Sequence, residues 1–250
     1  MLPGRSQDGY GYAVVDLEAT GSSSRRHRVV ELAVVLLGAD LAPEGEFTTL
    51  IDPLGPVGPT HIHGIEPAHV EGAPTFAGVA ARLLALLRGR VLVGHNVGCD
   101  RAFLVAEYAR LGVRLPAVPE LCTMRLAAAA AEAAPATGPA ARGGAPGTSA
   151  DPGRRPAPGP YGGLSLRACA AGIGLTGWHP HTALGDARAT AALLAHHGPH
   201  GADLPAVLAA AAALTWPEPP GPSAGTEALW VRRSNVSARR TVPNARHGQA

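Results

Sequence analysis

The sequence predicts an α/β fold built on a mixed sheet. Three observations carry that reading. Residues 12–51 contain three apolar, β-branched runs with short connections; from Pro74 the apolar spacing lengthens to that of a helix; and beyond it a short strand pattern stands between two helical ones. Tyr12 to Glu18 (YAVVDLE) closes in the polar TGSSS, as a buried strand ending in a loop should. Val29 to Leu37 is apolar except for Glu31, the pattern of a strand covered on both faces. Phe47 to Ile51 makes a third strand, so an antiparallel meander opens the domain. Phe76, Val79, Leu83, Leu84 and Leu87 then recur at helical intervals. Val91 to Val93 is a short strand running into Gly94, His95 and Asn96, and a second helix follows from about Cys99 to Leu111. Helical patterning returns over 164–173, 182–195 and 204–214.

A chain of 250 residues fits one large domain or two small ones. One domain over 10–216 is expected, because the interruption at 134–163 is Pro/Gly/Ala sequence with no periodic apolar face to offset the entropy of ordering it. That stretch is expected to be a disordered insertion, and 217–250 a disordered Arg-rich tail. Hydrophobic residues make up 46% but aromatics only 4%, so the core must be largely aliphatic. Every one of the 21 basic residues is Arg. The net charge of +2 does not advertise nucleic-acid binding, although the tail holds five Arg against Glu218 and Glu227, leaving 1–216 at −1. The start lacks a basic segment followed by an apolar one, so no secretory leader is expected. The uncharged run Leu204 to Trp216, 13 residues, is too short to span a bilayer, so no membrane partner is expected. Three scattered cysteines, Cys99, Cys122 and Cys169, fit free buried thiols in a reducing cytoplasm.

Chemistry concentrates in four acids. Asp16 and Glu18, two apart at the end of a strand, share one face. Asp100 stands at the start of one helix and Asp186 at the start of another. Taken singly, the first pair reads as solvated charges at a loop mouth, and the other two as acids complementing helix dipoles. Taken together, all four stand where an element begins or ends. Carboxylates brought to 4 Å repel by roughly 4 kcal/mol per pair at an effective dielectric of 20, so such a cluster normally persists only with cations. Hard divalent cations such as Mg²⁺ are the natural partners, often completed by substrate phosphate, which points to phosphoryl chemistry. His181 lies five residues before Asp186 and follows Pro180, which places it in the lead-in to the helix. An imidazole there has the right unperturbed pKa, about 6.5, for a general base beside an activated water.

These motifs, in order VVDLEATG, HIHGI at 61–65, GHNVGCDRAFL and HTALGDARATAALL, resemble the DEDDh 3′→5′ exonucleases, the branch containing the proofreading subunit of bacterial replicases and ribonuclease T. The resemblance runs from Tyr12 to His197 and implies a ribonuclease H-like fold, a mixed five-stranded sheet flanked by helices. It implies a site for two divalent cations, Mg²⁺ or Mn²⁺. Asp16, Glu18 and Asp186 would hold the first, Asp16 would bridge to the second, Asp100 would support the second, and His181 would deprotonate the attacking water. Thr20 and Gly21 would hold the terminal nucleotide, His63, Gly64 and Ile65 would line its base, and Asn96 would join the substrate-binding set. The implied partners are single-stranded nucleic-acid 3′ ends, with a DNA polymerase as a further candidate. The sequence departs from the family pattern at Leu17 and Ala19, and at Cys122 and Thr123 where Asp-Thr is common; neither departure touches an expected metal ligand.

Three functions stay open on sequence grounds. The leading one is an exonuclease acting on DNA. A second keeps the chemistry on RNA, which would require a contact to the 2′-hydroxyl. The third is an inactive module that binds nucleic acid or a polymerase.

Overall fold

A computed structural model describes residues 11–133, 163–198 and 204–218. The expected insertion therefore lies outside the described residues except for its last position, and so does the tail beyond Glu218. Strands β1 (Gly11–Ala19), β2 (Val29–Gly38) and β3 (Pro43–Leu50) form the antiparallel meander. Two single-turn helices, α1 (Thr60–His63) and α2 (Pro67–Val70), precede α3 (Phe76–Leu87). Then come β4 (Arg90–Gly94), α4 (Gly98–Arg110), β5 (Glu120–Cys122) and α5 (Thr123–Ala133). Helices α6 (Leu166–Gly172), α7 (Ala183–His197) and α8 (Leu204–Ala213) complete the described chain. The sheet order is β3-β2-β1-β4-β5, with β1, β4 and β5 parallel. The predicted mixed five-stranded sheet is therefore present.

The period of two along β1 divides the core into layers. Ala13 and Val15 face one way, packing with Val79, Leu83 and Leu104 of α3 and α4. Tyr12 and Val14 face the other way, joining Ala33 and Val35 of β2 against Ala183, Ala187 and Leu194 of α7. Asp16 and Glu18 continue this second face beyond the apolar part, so the sheet presents carboxylates where α7 begins. On the opposite layer, Tyr108 inserts from α4 and donates its hydroxyl to the carbonyl of Ala80 at 2.7 Å, satisfying a polar atom that burial would otherwise strand.

The β1–β2 loop is tied down although it lies at the surface. Glu107, 1% exposed, accepts from Arg28 Nε at 2.9 Å and from the Val29 N–H at 3.1 Å. Arg110 donates to the carbonyls of Ser24, Arg25 and His27. A buried carboxylate persists only when its lone pairs are satisfied, and Glu107 meets that condition by clamping the loop to α4. The thiols differ from expectation: only Cys169 is buried, Cys122 is intermediate and Cys99 is exposed, since Cys99 falls on the outer side of the first turn of α4. No helix among the described residues is long and apolar enough to cross a membrane.

Candidate active site

Strand β1, helices α4 and α7, and the turn before α7 deliver five side chains to the end of the central strand. Strand β1 supplies Asp16 and Glu18, α4 supplies Asp100 in its first turn, and α7 supplies Asp186 in its first turn. The turn before α7 supplies His181. One ligand atom from each of Glu18, His181 and Asp186 lies within 4.8 Å of the others. Asp16 feels Asp100, Asp186 and Glu18 as neighbouring charges, which places all four acids in one field. Burial pushes the Asp16 carboxyl well above the ordinary carboxylate range, and Asp100, Asp186, Glu18 and Glu31 push it further in that order. Asp100 is pushed up to about 7, chiefly by burial; the backbone N–H groups of Asp100 and Leu17 oppose the shift and Glu18 adds to it. Such a set binds protons or cations in preference to standing bare. Carboxylate oxygens are the donor chemistry that Mg²⁺ and Mn²⁺ take, so the four acids fit the implied ions, with the His181 imidazole beside them.

The lead-in to α7 is shaped for His181. Its φ is 60°, in the left-handed region, and its backbone N–H donates to Asp186 Oδ2 at 3.2 Å. Thr182 caps the helix by accepting from the Gly185 N–H, while its own hydroxyl donates to the His179 carbonyl at 2.8 Å. The turn folds back so closely that a Cβ on Gly185 would stand 2.2 Å from the His179 oxygen. Only glycine fits there. His181 is thus exposed but held on a stiff turn, with its chain direction set by Asp186.

The remaining expected residues are spread more widely. Thr20 closes the base of the β1–β2 loop, its hydroxyl accepting from the Arg28 N–H at 3.0 Å, and Gly21 packs against the His27 ring. His63 and Ile65 are buried, His63 Nδ1 accepting from the Ile65 N–H at 3.0 Å, and Ile65 packs with Val30, Leu50, Val57 and Val70. Gly64 between them takes a left-handed conformation that ends α1. Asn96 is exposed between β4 and α4 with φ 70°, and its amide donates to Cys99 Sγ. Asn tolerates that conformation better than most residues. The acids and His181 converge, whereas His63 and Ile65 lie in the interior, Ile65 in an apolar cluster of its own.

Residues 13–194 match the RNase_T family, described as exonuclease. This chain belongs to the exonuclease family. The DNA polymerase III subunit epsilon of Aquifex aeolicus is 33% identical to this chain over 119 residues, covering 46% of this chain and 58% of that one. The chain spans 8% to 58% of the length of the curated relatives it matches. Among solved structures, the zinc-bound complex of E. coli exonuclease I with single-stranded DNA superposes with a TM-score of 0.59 at 18% identity, covering 76% of this chain and 41% of that one. A 3′-exonuclease that recognises a histone mRNA stem-loop superposes with a TM-score of 0.56 at 17% identity, covering 76% and 83%. These last two show the shared fold.

Two features around the candidate site escape sequence reasoning. Glu31, noticed only as an interruption in an apolar strand, is 4% exposed and pairs in register with Glu18. His95 bridges three elements: its ring nitrogens lie 2.9 Å from Thr123 Oγ1 and 2.7 Å from the Leu164 carbonyl, and burial lowers its pKa. A lone acid among β-branched residues was the available signal for the first. Nothing local could reveal the second, whose partners lie 28 and 69 residues away. A groove of about 850 Å³, lined by Val105, Leu115, Val118 and Trp216, lies apart from these acids.

Proposed function

We propose that the exonuclease is of the DEDDh type, hydrolysing nucleic acid from the 3′ end to nucleoside 5′-monophosphates, with DNA favoured as substrate. The observation that carries this reading is the approach of Glu18, His181 and Asp186 to within 4.8 Å at the strand end that holds Asp16. Asp16, Glu18 and Asp186 would hold one divalent ion, and Asp16 with Asp100 a second. Bound ions of this kind supply Lewis-acid stabilisation of charge developing on the phosphate oxygens. His181 accepts the proton of the attacking water at its imidazole. The resulting hydroxide attacks phosphorus in line, the bond to the 3′ oxygen of the penultimate nucleotide breaks, that oxygen takes a proton from solvent to become the new 3′-hydroxyl, and a monophosphate is released. Thr20 and Gly21, at the base of the clamped loop, would hold the terminal nucleotide, and the exposed Gly64 and Asn96 would join the substrate-binding set, with the buried His63 and Ile65 on either side of Gly64. Little base preference follows, because grip falls on sugar and phosphate. The relative's name, a polymerase subunit, supports DNA as substrate and a polymerase as partner.

The test is release of mononucleotides from matched 3′-labelled DNA and RNA oligomers, with Mg²⁺, Mn²⁺ or chelator. Metal-dependent release from DNA at the higher rate is expected. Faster release from RNA would reassign the substrate, and no release from either would leave a binding module. His181→Ala should slow turnover by about 10²- to 10⁴-fold while sparing metal affinity. Equal loss of both would make His181 a ligand instead.

A further inference from the structure

Glu31 takes no part in the steps above, yet its surroundings are unusual for a carboxylate. It is 4% exposed, lies opposite Glu18 in the β1–β2 register, and adds to the negative field around Asp16. A buried acid beside Asp16 and Glu18 should be disfavoured unless its oxygens do something specific. One of them does: Glu31 Oε2 accepts from the backbone N–H of Ala183 at 2.9 Å, across 152 residues of sequence.

Ala183 is the first residue of α7 and is 0% exposed. Its N–H is one of the donors that a helix start leaves without an intrahelical acceptor. Thr182 satisfies Gly185 by capping, and water cannot reach a fully buried amide, so the Ala183 N–H depends on the strand. Two residues before Ala183 stands His181, and three residues after it stands Asp186. The period of two places Glu31 on the face of β2 that also carries Ala33 and Val35, which pack on Ala183 and Ala187. Apolar packing fixes how far α7 lies from the sheet. It does not fix where α7 starts along the sheet, and a directional bond can.

We propose that Glu31 is a positioning residue for the exonuclease site: by accepting the Ala183 N–H it sets the start of α7, and with it His181 and Asp186, against the β1 acids. This inference rests on the function proposed above. It differs from a role for charge, because what matters is reach to one amide.

Two near-isosteric variants separate the possibilities. Glu31→Gln keeps the reach and loses the charge, whereas Glu31→Asp keeps the charge and withdraws the oxygens by one methylene. Each full-length variant is measured for Mn²⁺ affinity by calorimetry, and for kcat and KM on a 3′-labelled single strand, with a urea melt to establish folding. Glu31→Asp should lower kcat and Mn²⁺ affinity by about 10- to 100-fold with KM little changed, as loss of an outer partner to a metal site does. Glu31→Gln should stay within about threefold of the parent in both. A Glu31→Asp protein that is folded and matches the parent overturns the proposal. So does a Glu31→Gln protein as impaired as Glu31→Asp, since charge would then be the cause. If the parent binds Mn²⁺ but releases no nucleotide, the hydrolytic reading fails while the Mn²⁺ affinities still decide the role of Glu31.

Discussion

At the scale of single residues, Asp16 carries a heavy electrostatic burden. Burial raises its pKa first, and four neighbouring carboxylates add to that. Asp16→Asn keeps the shape and removes the charge, so two effects of opposite sign are expected. Turnover should fall to background, because on the proposed function Asp16 would be the ligand common to both ions. The metal-free melting temperature should rise by about 2–4 °C, which for a chain of this size corresponds to ~1 kcal/mol of relieved repulsion. Thermal melts in chelator and nucleotide release on the same preparation check both. A variant that loses activity and stability together would mean that Asp16 holds the fold rather than the ions. This is also where the sequence was most legible: a charge in an apolar strand stands out in the text of the chain. Glu31 stood out equally, but its partner is a backbone amide, and backbone amides leave no mark in a sequence.

Among the elements, the turn into α7 is the most exacting. Gly185→Ala would place a methyl 2.2 Å from the His179 oxygen and 2.5 Å from Thr182 Oγ1, so the turn must open. The expected cost is about 1–3 kcal/mol in urea unfolding, typical of overpacking. A fall in kcat should accompany it, because His181 rides on that turn. Unchanged kcat with lowered stability would show that His181 finds its place independently. The meander, α3, β4, α4 and α7 were all readable, since each has enough residues to display a period. Strand β5 was not, because three residues after Pro116 and Pro119 show no alternation. The run of five alanines in α5 has strong helical propensity but a weak apolar face, so spacing gave no sign of it. Strand β3 begins at Pro43, four residues before the run that reveals it, because its first half is a polar sheet edge, where proline and acids are tolerated.

For the whole molecule, the proposed metal site would make binding a clamp on the fold. The acids come from β1, α4 and α7, so an ion held among them would join side chains that lie more than 80 residues apart along the chain. Without metal, the pH dependence has a definite sign. The Asp100 carboxyl moves from an ordinary value of 3.8 to about 7 on folding, and Asp16 moves in the same direction. Between those values the folded chain binds protons that the unfolded chain has released, so stability is fullest below about pH 4 and declines as pH rises through about 7. Cations act oppositely, since they bind the deprotonated set and compete with protons. At 100 times its dissociation constant, an ion binding only the folded state adds about 2.7 kcal/mol, or about 5–10 °C here. Urea midpoints from pH 4 to 8 should therefore fall with pH in chelator and flatten with Mg²⁺ or Mn²⁺, the gap widening towards pH 8. In Asp186→Asn that gap should collapse, because the α7 arm of the clamp is gone. Midpoints that ignore both pH and metal would mean that the acids stand too far apart to share an ion.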